Sequence, residues 1–365
     1  MITSISPIRR SAGWGNFLEK VPVVKKHLFK PPFTPLKRHG KFFNYNNEQL
    51  HESPEWFLPS IRMFFSSLKK RFLRAKNPNL DAWIEPYQEY AHSHEPLITW
   101  LGHATMLIQL GNINILADPI FESPSLLFPR VLPLGIDPQK LPPIDVVVIS
   151  HNHRDHMDEP TIHFLHKNHN PLFLVPEGNK SWFLSRNIKK VEELTWWETY
   201  EYKGVDISCV PVWHWSQRTL FDHNKTLWCG WVFQTQDDTV FFGGDTAYCE
   251  LYFKTIGKMF PNIGVALMPV GPCDPDHMMR RSHMSAEQAG QAFLDCGARY
   301  FIPMHWGTFH FGTDMFETPI ERLTLWWQDH QTELPQNSLC LSKLGQQFHL
   351  AHHKNLYSNT HDQNR

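Results

Sequence analysis

Two rhythms of apolar residues divide this chain. From residue 97, "LITWLGHATMLIQLGNINILADP" reads as two or three short strands, punctuated by the Gly111-Asn112 turn. "IDVVVIS" (144–150) is a short β-branched strand. "EPTIHFLHKN" (159–168) then switches to helical spacing, followed by a strand "PLFLVP" and another short helix. Strand text returns in "VDISCVPV", "LWCGWVFQT" and "TVFFGGD". A helix near 249–260, a strand "VALMPV", a helix "SAEQAGQAFLDCG" and a strand "YFIPMHW" complete the series. Strands alternate with helices in both halves, which predicts an α/β chain with two sheets and the helices outside.

The first 95 residues read differently. Residues 1–55 are rich in proline and basic residues with isolated aromatics, and suggest an extended or irregular arm. In 56–75, Ile61, Phe64, Phe65, Leu68 and Phe72 recur at three- and four-residue spacing, with Lys69, Lys70, Arg71 and Arg74 crowding the next turn. That predicts a basic amphipathic helix, suited to a membrane surface or to packing on its own domain. The predicted organisation is a basic N-terminal arm (1–95), a main domain (96–350) and a polar tail (351–365) that reads as disordered.

Charge sharpens this division. The net charge is only −1, yet residues 1–76 hold 15 Lys+Arg against 4 Asp+Glu, leaving an acidic remainder. A basic front suits an anionic partner, and a chain this close to neutral gives no reason to expect nucleic acid. The N-terminus lacks the apolar core of a secretory signal, and no apolar run reaches the length of a membrane span. The six cysteines are scattered with no C-x-x-C pair, which argues against a disulfide framework and a cysteine zinc site. A cytoplasmic protein, associated with a membrane peripherally, is expected.

The chemistry is concentrated in "SHNHRDHMD" (150–158), which places three histidines and two aspartates in nine positions directly after a strand. His151, His153, Asp155 and His156 form H-x-H-x-D-H. Two residues apart on a strand end, His151 and His153 can share one metal, while Asp155 and His156, opening the next helix, can face a second. Imidazoles with a carboxylate suit zinc, with iron or manganese possible. Further candidates each follow a strand: His214 in "VPVWHWSQ", Asp245 in "TVFFGGDTAYC" and His305 in "YFIPMHWGTF". The two glycines before Asp245 let the backbone turn tightly beside a ligand.

This arrangement is similar to the metallo-β-lactamase superfamily. The phrases "TWLGHATMLIQ", "LPPIDVVVISHNHRDHMD", "HWSQRTL", "FFGGDTAYC", "MPVGPCDP" and "HWGTF" resemble its N-acyl-phosphatidylethanolamine phospholipase D-like branch, over about residues 97–312. The resemblance implies an αββα sandwich with an N-terminal extension and two zinc ions at one edge of the sheets. It implies that His151, His153 and His214 hold the first ion, that Asp155, His156 and His305 hold the second, and that Asp245 bridges them. The implied reaction is hydrolysis of a membrane phospholipid to N-acylethanolamine and phosphatidic acid, with Asp245 orienting the attacking water. His283 in "RRSHMSAEQ" matches a family histidine near the bound phosphate, although Ser282 stands where the family has Gln. Arg280 and Arg281 are candidates to meet a lipid phosphate.

Other features are weaker signals. Asp158 is either a helix-start residue or an orienting partner for a ligand histidine. His103 in "LGHAT" also recurs in the family and suits a supporting role. His163, His166 and His169 read as exposed or satisfied, and the tryptophans as core and pocket wall. Competing functions are a metal-dependent lactonase or phosphodiesterase acting on a soluble substrate, a non-enzymatic membrane scaffold, and β-lactam hydrolysis. Asp245 stands where lactam-cleaving enzymes usually have cysteine, and a scaffold has no reason to keep carboxylates converging on histidines. A homodimer is compatible with the sequence.

Overall fold

The structure, a computed structural model, describes residues 25–27, 30–45, 80–87, 96–336 and 338–350. Among these, two seven-stranded sheets face one another. The first has the order β16-β4-β5-β6-β7-β8-β9, built from β4 (Leu97–Gly102), β5 (Thr105–Leu110), β6 (Ile113–Ala117), β7 (Val146–Val148), β8 (Leu172–Pro176), β9 (Val191–Leu194) and β16 (Gln347–His349). The second has the order β1-β10-β11-β12-β13-β14-β15, from β1 (Lys25–His27), β10 (Glu198–Tyr202), β11 (Val205–Val210), β12 (Gly230–Gln234), β13 (Thr239–Phe242), β14 (Val265–Pro269) and β15 (Tyr300–Met304). Each sheet is antiparallel at one side and parallel at the other, so both are mixed. A separate hairpin pairs β2 (Leu36–Arg38) with β3 (Lys41–Phe43).

Parallel pairing requires crossovers; an irregular segment joins β6 to β7, and helices on the outer faces supply the others. Helix α1 (Glu159–Asn168) joins β7 to β8, and α2 (Lys180–Leu184) joins β8 to β9. In the second sheet α3 (Glu250–Met259) joins β13 to β14; α4 (Asp276–Met279) and α5 (Ala286–Cys296) lie between β14 and β15, and α6 (Thr318–Asp329) follows. The result is the αββα sandwich, with helices outside two mixed sheets.

The period of two explains why the central strands are apolar throughout. In β5, β6, β7 and β8, Met106, Ile108, Ile115, Val146, Val148 and Leu174 point into the core between the sheets. Their neighbours Leu107, Leu116, Val147, Phe173 and Val175 point outward and are covered by Ile162 and Leu165 of α1 and Phe183 of α2. The β5–β6 connection is the expected two-residue turn, with Gly111 at φ 57° and Asn112 at φ 66°.

The strand over 144–150 is shorter than the sequence suggests. Val146–Val148 pairs with both neighbours, and the chain then leaves the ladder so that Ser150 and His151 can turn into the site. Part of the stretch 1–95 is integrated with the sandwich. Phe33 is buried and packs edge-on against Trp197 at 5.5 Å, Phe42 is buried, and Asn44 accepts a hydrogen bond from Trp228 Nε1 at 2.9 Å. Isolated aromatics without periodicity do not reveal such docking, because each is an anchor on a pre-existing surface. The helix predicted over 56–75 and the tail 351–365 lie outside the described residues.

Candidate metal centre

Six strands end at one edge of the sandwich, and their exits carry the chemistry. His103 follows β4, Asp118 follows β6, and His151 to His156 lie in the turn between β7 and α1. His214 follows β11, Asp245 follows β13 and His305 follows β15. Asp155 and His156 were expected to open the helix. They lie instead in a turn held by Met157 N–H on His153 O at 2.8 Å, and α1 begins at Glu159. Gly244 (φ 57°) makes the approach to this turn possible, because a Cβ there would sit 2.6 Å from Ser150 Cβ. His103, Asp118 and His305 also have positive φ, at 53°, 41° and 60°. Non-glycine residues rarely adopt such backbone, and here three of them share one site.

All seven residues predicted as metal ligands converge. His151 Nε2 lies 2.7 Å from His153 Nδ1, and His214 Nε2 lies 3.4 Å from the same nitrogen. A second group contains His103, Asp155, His156 and His305, whose ligand-type atoms lie within 4.8 Å of one another. Asp245 stands between the groups. Its Oδ2 is 4.0 Å from His151 Nε2 and 3.8 Å from His214 Nε2, and 3.2 Å from His156 Nε2, while Oδ1 is 3.0 Å from His305 Nε2.

Proton positions test whether a cation fits. Ser150 Oγ–H donates to Asp118 Oδ2 at 2.5 Å, so the same hydroxyl accepts from His151 Nδ1–H at 2.8 Å. His214 Nδ1–H donates to Ser282 O at 2.9 Å, and His156 Nδ1–H donates to Asp118 Oδ2 at 2.7 Å. With those protons placed, the Nε2 lone pairs of His151, His214 and His156 point at one another and at two carboxylates. His156 Nε2, His305 Nε2 and Asp245 Oδ1 are buried without a hydrogen-bond partner among the described residues. Converging acceptors in a buried site repel unless a cation lies between them, so the donor set fits metal ions.

The electrostatics agree. Burial, with neighbouring histidines, holds His151 well below the ordinary imidazole range. Burial also lowers His153 to about 4 and His214 to about 3, which keeps both in the neutral form that a metal-bound imidazole would need. Burial would raise Asp155 and Asp245, but His156 outweighs it in both, helped by His103 for Asp155 and His305 for Asp245, and both carboxyls stay ionised. Burial would lower His156, but Asp245, Asp155 and Asp118 outweigh it and hold that ring well above its ordinary value.

The remaining predicted site residues are placed less uniformly. His283 is mostly buried, with Nδ1 3.8 Å from Asp245 Oδ2, and belongs to the same cluster. Burial holds it at about 3. Arg280 and Arg281 are exposed at the end of α4, and Arg280 forms an ion pair with Asp276 one helical turn back. Asp158 is the N-cap of α1, accepting from Thr161 N at 3.1 Å and Thr161 Oγ1 at 2.7 Å, with no bond to a ligand histidine. His163 is exposed, and His166 and His169 are half-buried along α1.

Asp118 is the residue the sequence reading missed. One carboxylate reaches both metal-site groups, through Ser150 to His151 and directly to His156. The available signal was its position after a strand in "ILADP", matching Asp245. His103, expected in a supporting role, holds Asp155 Oδ2 at 2.9 Å through Nε2. Beside these two groups opens a cleft lined by His103, His305, Phe309, Phe311, Met315 and Phe316. Trp215 packs on the cluster, with its ring centroid 4.3 Å from that of His153, while Trp196, Trp197, Trp228 and Trp231 are fully buried in the core.

Comparison with known proteins agrees with this geometry. Residues 113–306 match the family described as "Beta-lactamase superfamily domain". The N-acyl-phosphatidylethanolamine-hydrolyzing phospholipase D 1 of Caenorhabditis elegans is 35% identical over 310 residues, covering 77% of this chain and 87% of that one. The mitochondrial enzyme of the same name from Saccharomyces cerevisiae is 32% identical over 237 residues, 62% of this chain and 51% of that protein. Among solved structures, a possible metal-dependent hydrolase from Veillonella parvula shares the fold at a TM-score of 0.57 and 17% identity, covering 70% of this chain and 99% of that one. Igni18, a metallo hydrolase from Ignicoccus hospitalis, does so at 0.53 and 19%, covering 69% and 97%. The chain is a metal-dependent hydrolase that belongs to the N-acyl-phosphatidylethanolamine phospholipase D-like branch of the metallo-β-lactamase superfamily.

Proposed function

We propose that this protein is a dinuclear zinc phosphodiesterase that hydrolyses N-acyl-phosphatidylethanolamine at the surface of a membrane facing the cytoplasm. The observation that carries this reading is the position of Asp245, whose two oxygens reach toward both groups of imidazoles. His151, His153 and His214 would hold one ion and Asp155, His156 and His305 the other, with Asp245 shared. When bound, such a pair of ions lowers the pKa of water and neutralises charge on phosphoryl oxygens.

The chain's own groups do the rest. The oxygen of water bonds to phosphorus, the bond from phosphorus to the ethanolamine oxygen breaks, and N-acylethanolamine leaves with a proton on that oxygen. Phosphatidic acid remains. Asp245 accepts a hydrogen bond from the attacking water and fixes its direction. His283, neutral and facing Asp245 across 3.8 Å, holds a phosphoryl oxygen through a ring N–H. Phe309, Phe311 and Phe316 give the acyl region of the lipid an apolar wall. Arg280 and Arg281, exposed just before His283, would meet the phosphate of an approaching lipid.

The test is a lipid assay with purified protein of measured metal content. Protein loaded with two zinc ions per chain is expected to release N-acylethanolamine from vesicles containing N-acyl-phosphatidylethanolamine, and chelated protein is not. Fully loaded protein that leaves this lipid intact but opens a soluble lactone or cleaves a soluble diester overturns the substrate assignment.

A further inference from the structure

The loop 216–224 presents two large apolar side chains to solvent: Leu220 is 86% and Phe221 83% exposed. This is not a loose excursion. Asp222 Oδ1 accepts from the backbone of Arg218 at 3.0 Å and Thr219 at 2.7 Å, and Asn224 closes the base by donating to Ser216 O at 2.7 Å. A loop braced from inside yet apolar at its tip pays no ordering cost on meeting a partner, and water is a poor partner for that tip.

Its surroundings identify the partner. The β2–β3 hairpin packs at the base of the loop, with Phe42 N–H donating to Asn224 O at 2.7 Å. That hairpin carries Lys37, Arg38, His39 and Lys41, and Lys225 is exposed just beyond the loop. The local carboxylates are already engaged: Glu177 by Lys37 at 2.8 Å, Asp222 by the loop backbone. With Lys37 paired to Glu177, the cations left beside the apolar tip are Arg38, Lys41 and Lys225, which match the interface of an anionic bilayer, with hydrocarbon for the leucine and phenylalanine and headgroups for the basic side chains. The loop also adjoins the chemistry, since it starts next to Trp215, which lies against His153, and Arg218 Nη1 donates to Met157 O at 2.6 Å.

A second exposed apolar pair lies beside the cleft. Leu126 is fully exposed and Leu127 half-exposed, and the adjoining Phe128 rests against Phe311 at 5.0 Å, which in turn faces His103 at 5.6 Å. We infer that Leu220 and Phe221, framed by the basic β2–β3 hairpin and assisted by Leu126 and Leu127, dock the rim of the metal centre into an anionic lipid bilayer. The choice of a bilayer as occupant rests on the lipid reading above.

The test measures binding without turnover. Full-length, metal-loaded protein is floated with phosphatidylcholine vesicles, with and without phosphatidylglycerol. Wild type is expected to float with the anionic vesicles, less with the neutral ones, and less as salt rises. The pair Leu220→Ser and Phe221→Ser is expected to lower the partition coefficient about 10-fold or more. Arg38→Gln with Lys225→Gln should reduce binding only to anionic vesicles. In a second measurement, Phe221→Cys carrying an environment-sensitive dye should shift to the blue on adding anionic vesicles. Wild-type protein that stays unbound, a serine pair that floats like wild type, or a dye that does not shift overturns the inference, the last pointing to a protein partner. None of these outcomes touches the substrate assignment, which the N-acylethanolamine assay decides separately.

Discussion

Asp118 Oδ2 accepts from His156 Nδ1 at 2.7 Å and from Ser150 Oγ at 2.5 Å, while Oδ1 accepts from Ser150 N–H at 2.6 Å. A single buried carboxylate thereby sets which nitrogen of His156, and through Ser150 of His151, faces the metal-site groups.

Asp118→Asn removes the charge and offers an N–H where acceptors are needed. Metal affinity should fall about 10- to 100-fold, as is usual for partners of ligating histidines. Competition with a chromogenic chelator measures it. Unchanged affinity would show that ring orientation is fixed by packing alone.

Asp158 predicts the opposite outcome. It caps α1 through Thr161 and touches none of the clustered histidines. Asp158→Ala should cost about 0.5–2 kcal/mol of stability with metal content unchanged, read by denaturant unfolding and elemental analysis. Loss of metal in a folded variant would assign it to the site instead.

Gly257 lies on α3, where a Cβ would approach Cys296 O to 2.5 Å. A backbone carbonyl at the end of α5 cannot swing aside as a side chain can. Gly257→Ala should therefore lower stability by about 1–3 kcal/mol while the activity of the folded fraction persists. A thermal midpoint equal to that of wild type would mean the two helices can slide apart.

Acid should destabilise the metal-free protein early. His153 and His214 titrate at about 4 and 3 when folded, against 6.5 for a free imidazole, and His151 is lowered in the same direction. As pH falls below 6.5 the unfolded chain takes up protons that the folded chain refuses, so stability drops progressively toward pH 4. His156, raised well above 6.5, contributes nothing to that drop, because it is protonated in the folded state across this window and favours folding at the acid end. The lowered rings outnumber it. Thermal midpoints of chelated protein between pH 8 and 5 check this, and a flat profile would contradict it.

Much of this molecule was legible because its chemistry is written at strand ends. A histidine or aspartate just past the end of an apolar strand has few structural reasons to be there, and His151, His214, Asp245 and His305 each carried that mark. Asp118 carried it too, but a lone aspartate before a proline also reads as a turn, so its double hydrogen bond stayed hidden until β6 and β7 were placed side by side. Strands β9 and β10, in "VEEL" and "ETYEY", are charged enough to hide their pairing; they sit where sheets approach solvent. The docking of Phe33 and Asn44 was not legible at all, since the surfaces they meet are built by residues more than 150 positions away.

The donor set is split between layers. His151, His153, Asp155 and His156 hang from one sheet, and His214, Asp245 and His305 from the other, with Trp231 Nε1 reaching across to Ile149 O at 3.0 Å beside them. Neither sheet carries all seven of these side chains. A cation held by side chains from both sheets would tie the layers together, so its binding free energy would add to the stability that the shared apolar core already gives.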